Sequence, residues 1–339
     1  MKCFCVKSHS SREVQNSPWR RVVVQKSKIL TYIVIVAFLA FPQSSYGWHD
    51  AGHRMVARIA WDNLQPNVRQ QLVDLLMQAP SDSCLRELFP NNGTLEERQR
   101  LFFVAVATWP DKVRPQNSSD HRVCTKYNNP SWHFVDHFWS GTSGDPNDPP
   151  HDRDFAIAEI NAGERLGVFR NLVNSSLPAK DRAIMLGWIL HLVGDIHQPL
   201  HTSGRVTNFH GESHGDAGGN NFKLGSSLTL HFYWDGIIED HSPPRDHEKF
   251  DAYVDRISRE LQDAFPLASF DGTLQPGNIN AWILESLQKA KDNAYPKTLK
   301  RNQLPNSDYE KNTFDVSRKA IAESGYRLAN LLTKAFESH

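Results

Sequence analysis

Apolar residues recur at spacings of three and four along most of the chain from residue 48 onward, which is the period of an amphipathic α-helix. The pattern predicts helices near 50–64, 66–79, 94–109, 152–173, 179–197, 246–263, 279–294 and 315–336. Thr94 with Glu97 forms a capping box at the third segment, and Pro178 lies where it can only begin a helix. Because nothing in the chain marks a linker between these helices, we expect an all-α fold with a single, mainly helical domain.

The segment 183–193 differs from the other helices because it is apolar on nearly every face. A helix with that pattern is typically buried inside a domain. His191 and Asp195 therefore lie on a central helix, four residues apart and on one face of it. Burying ionisable groups is costly unless they are paired or bind a metal, so this pair needs a specific reason.

The first 47 residues have a different pattern from the rest of the chain. They carry seven Lys and Arg side chains and one acidic residue, and they include an uncharged apolar run, Ile29–Phe41. A basic segment followed by such a run is typical of a secretory signal peptide, and the run is shorter than the roughly 20 residues that cross a bilayer. The small residues before Trp48 predict cleavage after Gly47, so that residues 1–47 are removed and 48–339 remain. An uncleaved membrane anchor is the alternative.

Removal of this segment changes the charge balance. The full chain has 38 basic and 38 acidic side chains, whereas residues 48–339 have 31 and 37, a net charge of −6. This excludes a protein that holds nucleic acid through a broad basic surface, because there is no excess of Lys and Arg to neutralise many phosphates. A phosphate-bearing substrate would need another source of positive charge.

Export also sets an expectation for the cysteines. Cys84 and Cys124 are the two that remain in residues 48–339. In a secreted or periplasmic protein, two cysteines suggest one disulfide. After cleavage we expect no association with a membrane.

Histidine and aspartate recur at ligand spacings beyond the central helix. His201 follows on the loop just past the helix end, and His231 with Asp235 repeats the four-residue spacing. Neutral imidazole and carboxylate are a usual ligand set for zinc, so two such pairs with His201 indicate a metal site. One pair alone would more often be a satisfied pair in a protein core.

Cleavage after Gly47 would add a ligand of another kind. It would give Trp48 a free α-amine, a turn or so before His53. Such an amine, with its own carbonyl oxygen, can chelate a metal in a five-membered ring, and its pKa near 8 leaves enough of it neutral.

Taken in order, these segments resemble the trinuclear-zinc, single-strand-specific nuclease family of fungi and plants, which is distantly related to bacterial zinc-dependent phospholipase C. The resemblance covers all of residues 48–339. It rests on Trp48 with GHRMVARIA (52–60), ATWPDKVR (107–114), WHFVD (132–136), HLVGDIHQPLH (191–201), GGN (218–220), LHFYWD (230–235) and, more loosely, WILES (282–286) and GYRLANLL (325–332).

The resemblance implies a domain of the phospholipase C and single-strand nuclease type that holds three zinc ions. The implied ligands are Asp111, His133, His191 and Asp195 for one ion, the Trp48 amine and carbonyl, His53 and the other oxygen of Asp195 for a second, and His201, His231 and Asp235 for a third. Three cations would supply the positive charge that the surface lacks.

The resemblance also implies roles in catalysis and substrate binding. Asp111 would orient the attacking hydroxide, and Arg114 would steady charge on the phosphoryl oxygens. Phe134 would stack on a base whose edge Asp136 binds, and Asn220 would add a polar contact. The implied activity is a secreted endonuclease that cleaves single-stranded DNA and RNA to 5′-phosphate products, with 3′-nucleotides as a further substrate class and no stable protein partner.

Two other functions compete with this one. A phospholipase C would share the fold and metals and bind a choline headgroup, but Phe134 with Asp136, and Asp235 where phospholipases typically have Glu, favour the nuclease. A zinc-binding protein without catalysis would have no use for Asp111 and Arg114.

Ten histidines of residues 48–339 lie outside the implied ligand set, among them His137, His197, His210 and His214. His137 is interpreted as a core or surface residue and His197 as a structural one, since His197 points off the ligand face of its helix. Between His201 and Gly218 the chain has a longer loop than expected from the fungal members, and the loop contains His210 and His214. These two could tune or block access.

Overall fold

Ten α-helices dominate the structure, a computed structural model that describes residues 48–117, 119–141, 156–207 and 215–337. The helices are α1 (Asp50–Asp62), α2 (Pro66–Leu76), α3 (Leu95–Val106), α4 (Trp109–Lys112), α5 (Ala162–Leu172), α6 (Ala179–Asp195), α7 (Leu230–His241), α8 (Phe250–Ala264), α9 (Ile279–Lys289) and α10 (Ser307–Phe336). The described residues belong to one unit, Gln43–His339, and the prediction of an all-α fold is confirmed.

The predicted signal segment lies outside the described residues, as do His210 and His214. Within the described ranges, no helix combines the length and apolarity that a bilayer span requires.

Every predicted helical segment contains a helix, and side-chain caps account for the largest boundary differences. Helix α5 begins ten residues later than predicted, where the Asn161 side chain accepts a hydrogen bond from the Glu164 backbone at 3.0 Å. Helix α10 begins eight residues earlier, where the Asn306 side chain accepts from the Tyr309 backbone at 2.9 Å. The predicted cap at Thr94 is present. Periodicity alone therefore places helices but not their ends.

Helix α7 was not predicted as a helix. Its start is fixed by Thr229, whose side chain accepts from the Phe232 backbone at 3.1 Å. Most of its first nine residues are buried, so the helix has no polar face that would give an amphipathic pattern. The four-residue spacing of His231 and Asp235 is nevertheless the spacing of one helical face.

Four short strands accompany the helices within the described ranges. Strand β1 (His137–Ser140) pairs in parallel with β2 (Ser203–Val206), and β3 (Lys223–Leu224) pairs in antiparallel with β4 (Leu228–Thr229). The parallel pair joins the segment after His133 to the segment after His201. It therefore holds together two parts of the chain that carry predicted ligands.

Helix α6 is the central element of the core. Its residues from Leu186 to Asp195 are all buried, as the apolar pattern predicts, and it packs against α1, α2, α5 and α10. A buried polar layer fixes its C-terminal end. His197 Nδ1 donates to the Val193 carbonyl at 2.6 Å, and Arg327 of α10 donates to His197 Nε2 at 2.9 Å. Burial and the Arg327 charge keep the pKa of His197 well below its usual value, so His197 acts as a neutral structural residue.

The two cysteines are adjacent but unbonded. Both thiols are free, and the predicted disulfide is not formed in this structure. Burial and a hydrogen bond to Cys124 raise the pKa of the Cys84 thiol to about 12. The pair lies where two 3-10 turns, Ser81–Ser83 and Val123–Tyr127, meet.

Candidate metal centre

The structure brings all eight predicted His and Asp ligands together in three buried clusters. The clusters are His53, Asp111 and His191; His133, His191 and Asp195; and His201, His231 and Asp235. Within each cluster, one ligand atom per residue lies within 4.8 Å of the others. Six separate elements supply these side chains: α1, α4, α6, α7 and the 3-10 turns Pro130–His133 and Pro199–Thr202.

Asp195 faces histidines from all three clusters, because its two oxygens point at different imidazoles. Its Oδ2 lies 3.0 Å from His191 Nε2 and 3.2 Å from His133 Nδ1. Its Oδ1 lies 3.4 Å from His53 Nε2 and 3.5 Å from His201 Nδ1. Burial alone would raise the pKa of Asp195, but the His191 and His201 rings hold it well below the usual range.

Asp111 lies beside the same histidines at the end of a short, rigid segment. Its Oδ1 is 3.8 Å from both His133 Nδ1 and His191 Nε2, and 3.1 Å from Arg114 Nη2. The Trp109 indole donates to the Ser83 carbonyl at 2.7 Å, which anchors the start of α4. The segment thus presents a carboxylate and a guanidinium at the edge of the cluster.

The third cluster is held mainly by α7. His201 Nε2 lies 3.1 Å from His231 Nε2, and His231 Nε2 lies 3.4 Å from Asp235 Oδ2. Burial raises the pKa of Asp235 well above its usual value, while a hydrogen bond from Gln198 acts in the opposite direction.

Backbone carbonyls fix the orientation of three of the rings. Nδ1 contacts the carbonyl of Ala107 at 2.8 Å in His191, of His133 at 2.6 Å in His201, and of Gly218 at 2.7 Å in His231. A proton on Nδ1 leaves the Nε2 lone pair directed at the cluster, the arrangement common among metal-ligating histidines.

Unsatisfied polar atoms also point to a cation. Within the described ranges, neither ring nitrogen of His53 has a hydrogen-bond partner, nor has Oδ1 of Asp195, and all three atoms are buried. Such atoms are rare in protein interiors without a metal or water. Imidazole nitrogens with carboxylate oxygens form a donor set that fits zinc.

Trp48 and His49 lie at the start of α1, beside α7. Trp48 is fully buried, and a Cβ on Gly52 would lie 2.6 Å from the Trp48 Cβ. The His49 backbone N–H donates to the Asp235 carbonyl at 3.2 Å. The residue predicted to become the N-terminus therefore lies within the fold, one turn before His53.

Phe134 and Asp136 belong to the segment that leads from His133 into β1. Phe134 is 36% exposed, and its backbone is extended, with φ −146° and ψ 165°. The Val135 backbone N–H donates to the His201 carbonyl at 2.7 Å, which ties this segment to the third cluster. Burial raises the pKa of Asp136 to about 6.

The Gly218–Gly219 turn supports the third cluster as well. Both residues have positive φ, +61° and +83°, and a Cβ on Gly218 would lie 2.5 Å from the Leu200 carbonyl. Only glycine fits at position 218, whose own carbonyl holds His231. Asn220 is half-buried, and its side-chain amide donates to the Ala217 carbonyl at 2.9 Å.

Gln198 is a supporting residue that sequence reasoning missed. It is fully buried, donates to Asp235 Oδ1 at 2.6 Å and accepts from the Leu200 backbone at 2.5 Å. The signal available in the sequence was a polar side chain between two predicted ligands, Asp195 and His201. His137 lies in β1, outside all three clusters.

Comparisons with known proteins identify the family of this chain. Residues 48–337 match the S1/P1 Nuclease family. The chain is 23% identical to Nuclease S1 of Aspergillus oryzae (strain ATCC 42149 / RIB 40) over 319 residues, 87% of this chain and 94% of that protein. It is 24% identical to Endonuclease 3 of Arabidopsis thaliana over 328 residues, 90% of this chain and 95% of that protein. These matches give the phospholipase C alternative no support.

Asp136→Asn should stabilise the metal-free protein at neutral pH. The carboxyl has a pKa of about 6 when folded, against roughly 3.9 when unfolded, so its contribution to stability is present below pH 4 and lost as the pH rises through 6. An amide has no such dependence. The free energy of unfolding in urea should be measured for the variant and the parent at both pH values. The gain of the variant over the parent should be larger at pH 7 than at pH 4, by on the order of 1–3 kcal/mol. A difference that is the same at both pH values would contradict the assignment.

Proposed function

Because this chain belongs to the S1/P1 nuclease family, it is a hydrolytic phosphodiesterase, and we propose that it is a secreted zinc enzyme that cleaves single-stranded DNA and RNA to 5′-phosphate products. One observation carries the proposal: the two oxygens of a fully buried Asp195 face separate sets of imidazoles. A carboxylate in that position suits a ligand shared between two cations. It has no comparable use in a core ion pair.

We assign three zinc ions to the centre. Their proposed ligands are Asp111, His133, His191 and Asp195 for the first, the Trp48 amine and carbonyl, His53 and Asp195 for the second, and His201, His231 and Asp235 for the third. When bound, zinc supplies positive charge for the phosphodiester and lowers the pKa of water towards 7. This local charge removes the need for a broad basic surface, in keeping with the net charge of −6 in residues 48–339.

Asp111 and Arg114 are the proposed catalytic residues. The carboxylate of Asp111 would accept a hydrogen bond from the attacking water and direct its lone pair at phosphorus. Arg114, whose guanidinium is 3.1 Å from Asp111, would donate to the phosphoryl oxygens as their charge grows. The presence of this pair disfavours a protein that only stores zinc.

Phe134, Asp136 and Asn220 are the proposed substrate contacts. The exposed ring of Phe134 would stack on a base, which is worth roughly 1–3 kcal/mol and is largely independent of sequence. Asp136 would accept hydrogen bonds from the edge of that base, and Asn220 would contact the sugar or phosphate. Stacking needs a base that is free of its own neighbours, which explains a preference for single strands. The same contacts would serve a 3′-nucleotide.

We also propose that the protein is exported and processed. Residues 1–47 would be removed as a signal peptide, leaving 48–339 as one nuclease domain that is secreted or periplasmic. The ligand set is complete within one chain, so no stable protein partner is required.

The activity is tested with the exported protein whose N-terminus has been sequenced. With added zinc it should degrade denatured DNA and RNA, leave 5′-phosphate ends, and act far more slowly on duplex DNA. Phosphatidylcholine vesicles should stay intact. Release of phosphocholine without nucleic acid cleavage would overturn the proposal.

Asp195→Asn should abolish cleavage and lower the zinc content below that of any other single-ligand variant. The amide has one oxygen able to bind a metal and no charge, so two ions lose a ligand at once. Zinc is measured per chain by elemental analysis, with the exposed Asp308→Asn as the control. Full zinc content with a near-native rate would rule out a shared ligand.

One extra residue before Trp48 should cost zinc and most of the activity while the helices still form. The nitrogen would then be a peptide amide, which has no lone pair available for a metal. Cytoplasmic protein that begins Met-Trp48 is compared with the exported form for zinc content, rate and helix content. Equal zinc and rate in the two forms would exclude the terminal amine as a ligand.

A further inference from the structure

A second pair of rings lies beside the third cluster, at the start of α7. Phe232 follows His231 in the sequence, and its ring centroid is 4.7 Å from that of His49, with an angle of 61° between the ring planes. Both side chains are half-buried, so each keeps part of its surface open to solvent. Neither residue belongs to the ligand set or to the Phe134 site.

The position of the His49 ring is fixed by its surroundings. Its backbone N–H donates to the Asp235 carbonyl at 3.2 Å, and its carbonyl accepts from the His53 backbone at 3.3 Å. A Cβ on Gly236 would lie only 2.8 Å from Cε1 of His49. The ring therefore lies across the face of α7 that Phe232 and Gly236 share, since residues four apart are neighbours on a helix.

Aromatic side chains thus adjoin the centre from two different parts of the chain. Phe134 belongs to the segment that bonds to His201 on both sides, through the carbonyl of His133 and the N–H of Val135. Phe232 follows His231 on α7, but consecutive helical side chains point about 100° apart, so Phe232 lies on the face of α7 that meets His49. The ring pair adjoins the centre through His49, which precedes the cluster residue His53 by four positions and whose backbone N–H donates to the Asp235 carbonyl.

We propose that Phe232 and His49 form a second base subsite, which takes the nucleobase on the opposite side of the scissile phosphate from the base on Phe134. The inference rests on the proposed nuclease function. A strand cut at an internal phosphate carries a base on each side of it, and aromatic rings accept any base face. The subsite adds affinity for the nucleoside that keeps the 5′ phosphate after cleavage. A 3′-nucleotide has no nucleoside on that side of its phosphate.

Two dinucleoside monophosphates that differ by one base test this subsite. Each has a single scissile phosphate, so the place of each base is known. One carries both bases, and the other has an abasic sugar on the side that keeps the 5′ phosphate. The zinc-loaded enzyme should prefer the two-base substrate by roughly 5-fold or more in kcat/KM, the lower end of base stacking. Phe232→Ala and His49→Ala should bring that ratio towards one.

Matched variants separate this subsite from the rest of the site. Phe314→Ala removes a ring that pairs with His241 at the other end of α7, 5.2 Å between centroids, and should keep the parental ratio. Phe134→Ala should slow both substrates and keep the ratio, because it removes the platform for the other base.

The outcomes distinguish the two levels of the proposal. A parental ratio in Phe232→Ala would overturn the subsite while Phe134 and the nuclease function stand. Loss of bound zinc in Phe232→Ala would overturn it too, since the ring would then pack under the third cluster. If the zinc-loaded enzyme cleaves neither substrate nor any single strand, the nuclease function itself fails.

Discussion

The complete burial of Asp195 is the constraint on which the rest of the structure depends. A carboxylate removed from water costs several kcal/mol unless charge or hydrogen bonds compensate it. Here the compensation comes from four histidines on four different elements, so each of these elements must bring a side chain to the same point in the interior. The polar layer around Arg327 holds the end of α6 in place, and the β1–β2 pair holds the two segments that reach the third cluster.

Much of the centre could be predicted from the sequence because several of its residues lie within one helical turn of each other. His191 and Asp195 share one turn of a strongly apolar helix, and His231 with Asp235 share one turn of another, even though that second helix was not recognised. The parts that could not be predicted depend on contacts between distant segments. No periodic pattern in the sequence reveals these contacts. They are the pairing of His137 with Ser203, the hydrogen bond from Gln198 to Asp235 and the packing of His49 on Gly236.

In the proposed function, substrate recognition would rest on positive charge concentrated at one point rather than spread over a surface. Residues 48–339 carry more acidic than basic side chains, yet their buried carboxylates and imidazoles form a donor set for cations. A phosphate would then be attracted to one recessed point, and aromatic rings at its border would select strands whose bases can turn outward. In duplex nucleic acid the stiff backbone would keep the phosphate from the recessed point, and the bases are stacked inside.

Cations at the proposed centre would compete with protons for the same side chains. The Nδ1 contacts with backbone carbonyls direct Nε2 of His191 and His231 at the clusters, and the Asp195 and Asp111 carboxylates outweigh burial and raise the pKa of His191. The pKa of Asp235 shifts in the opposite direction from that of Asp195, because burial raises it well above the usual value. A proton would therefore compete with a cation more strongly at the third cluster than at Asp195.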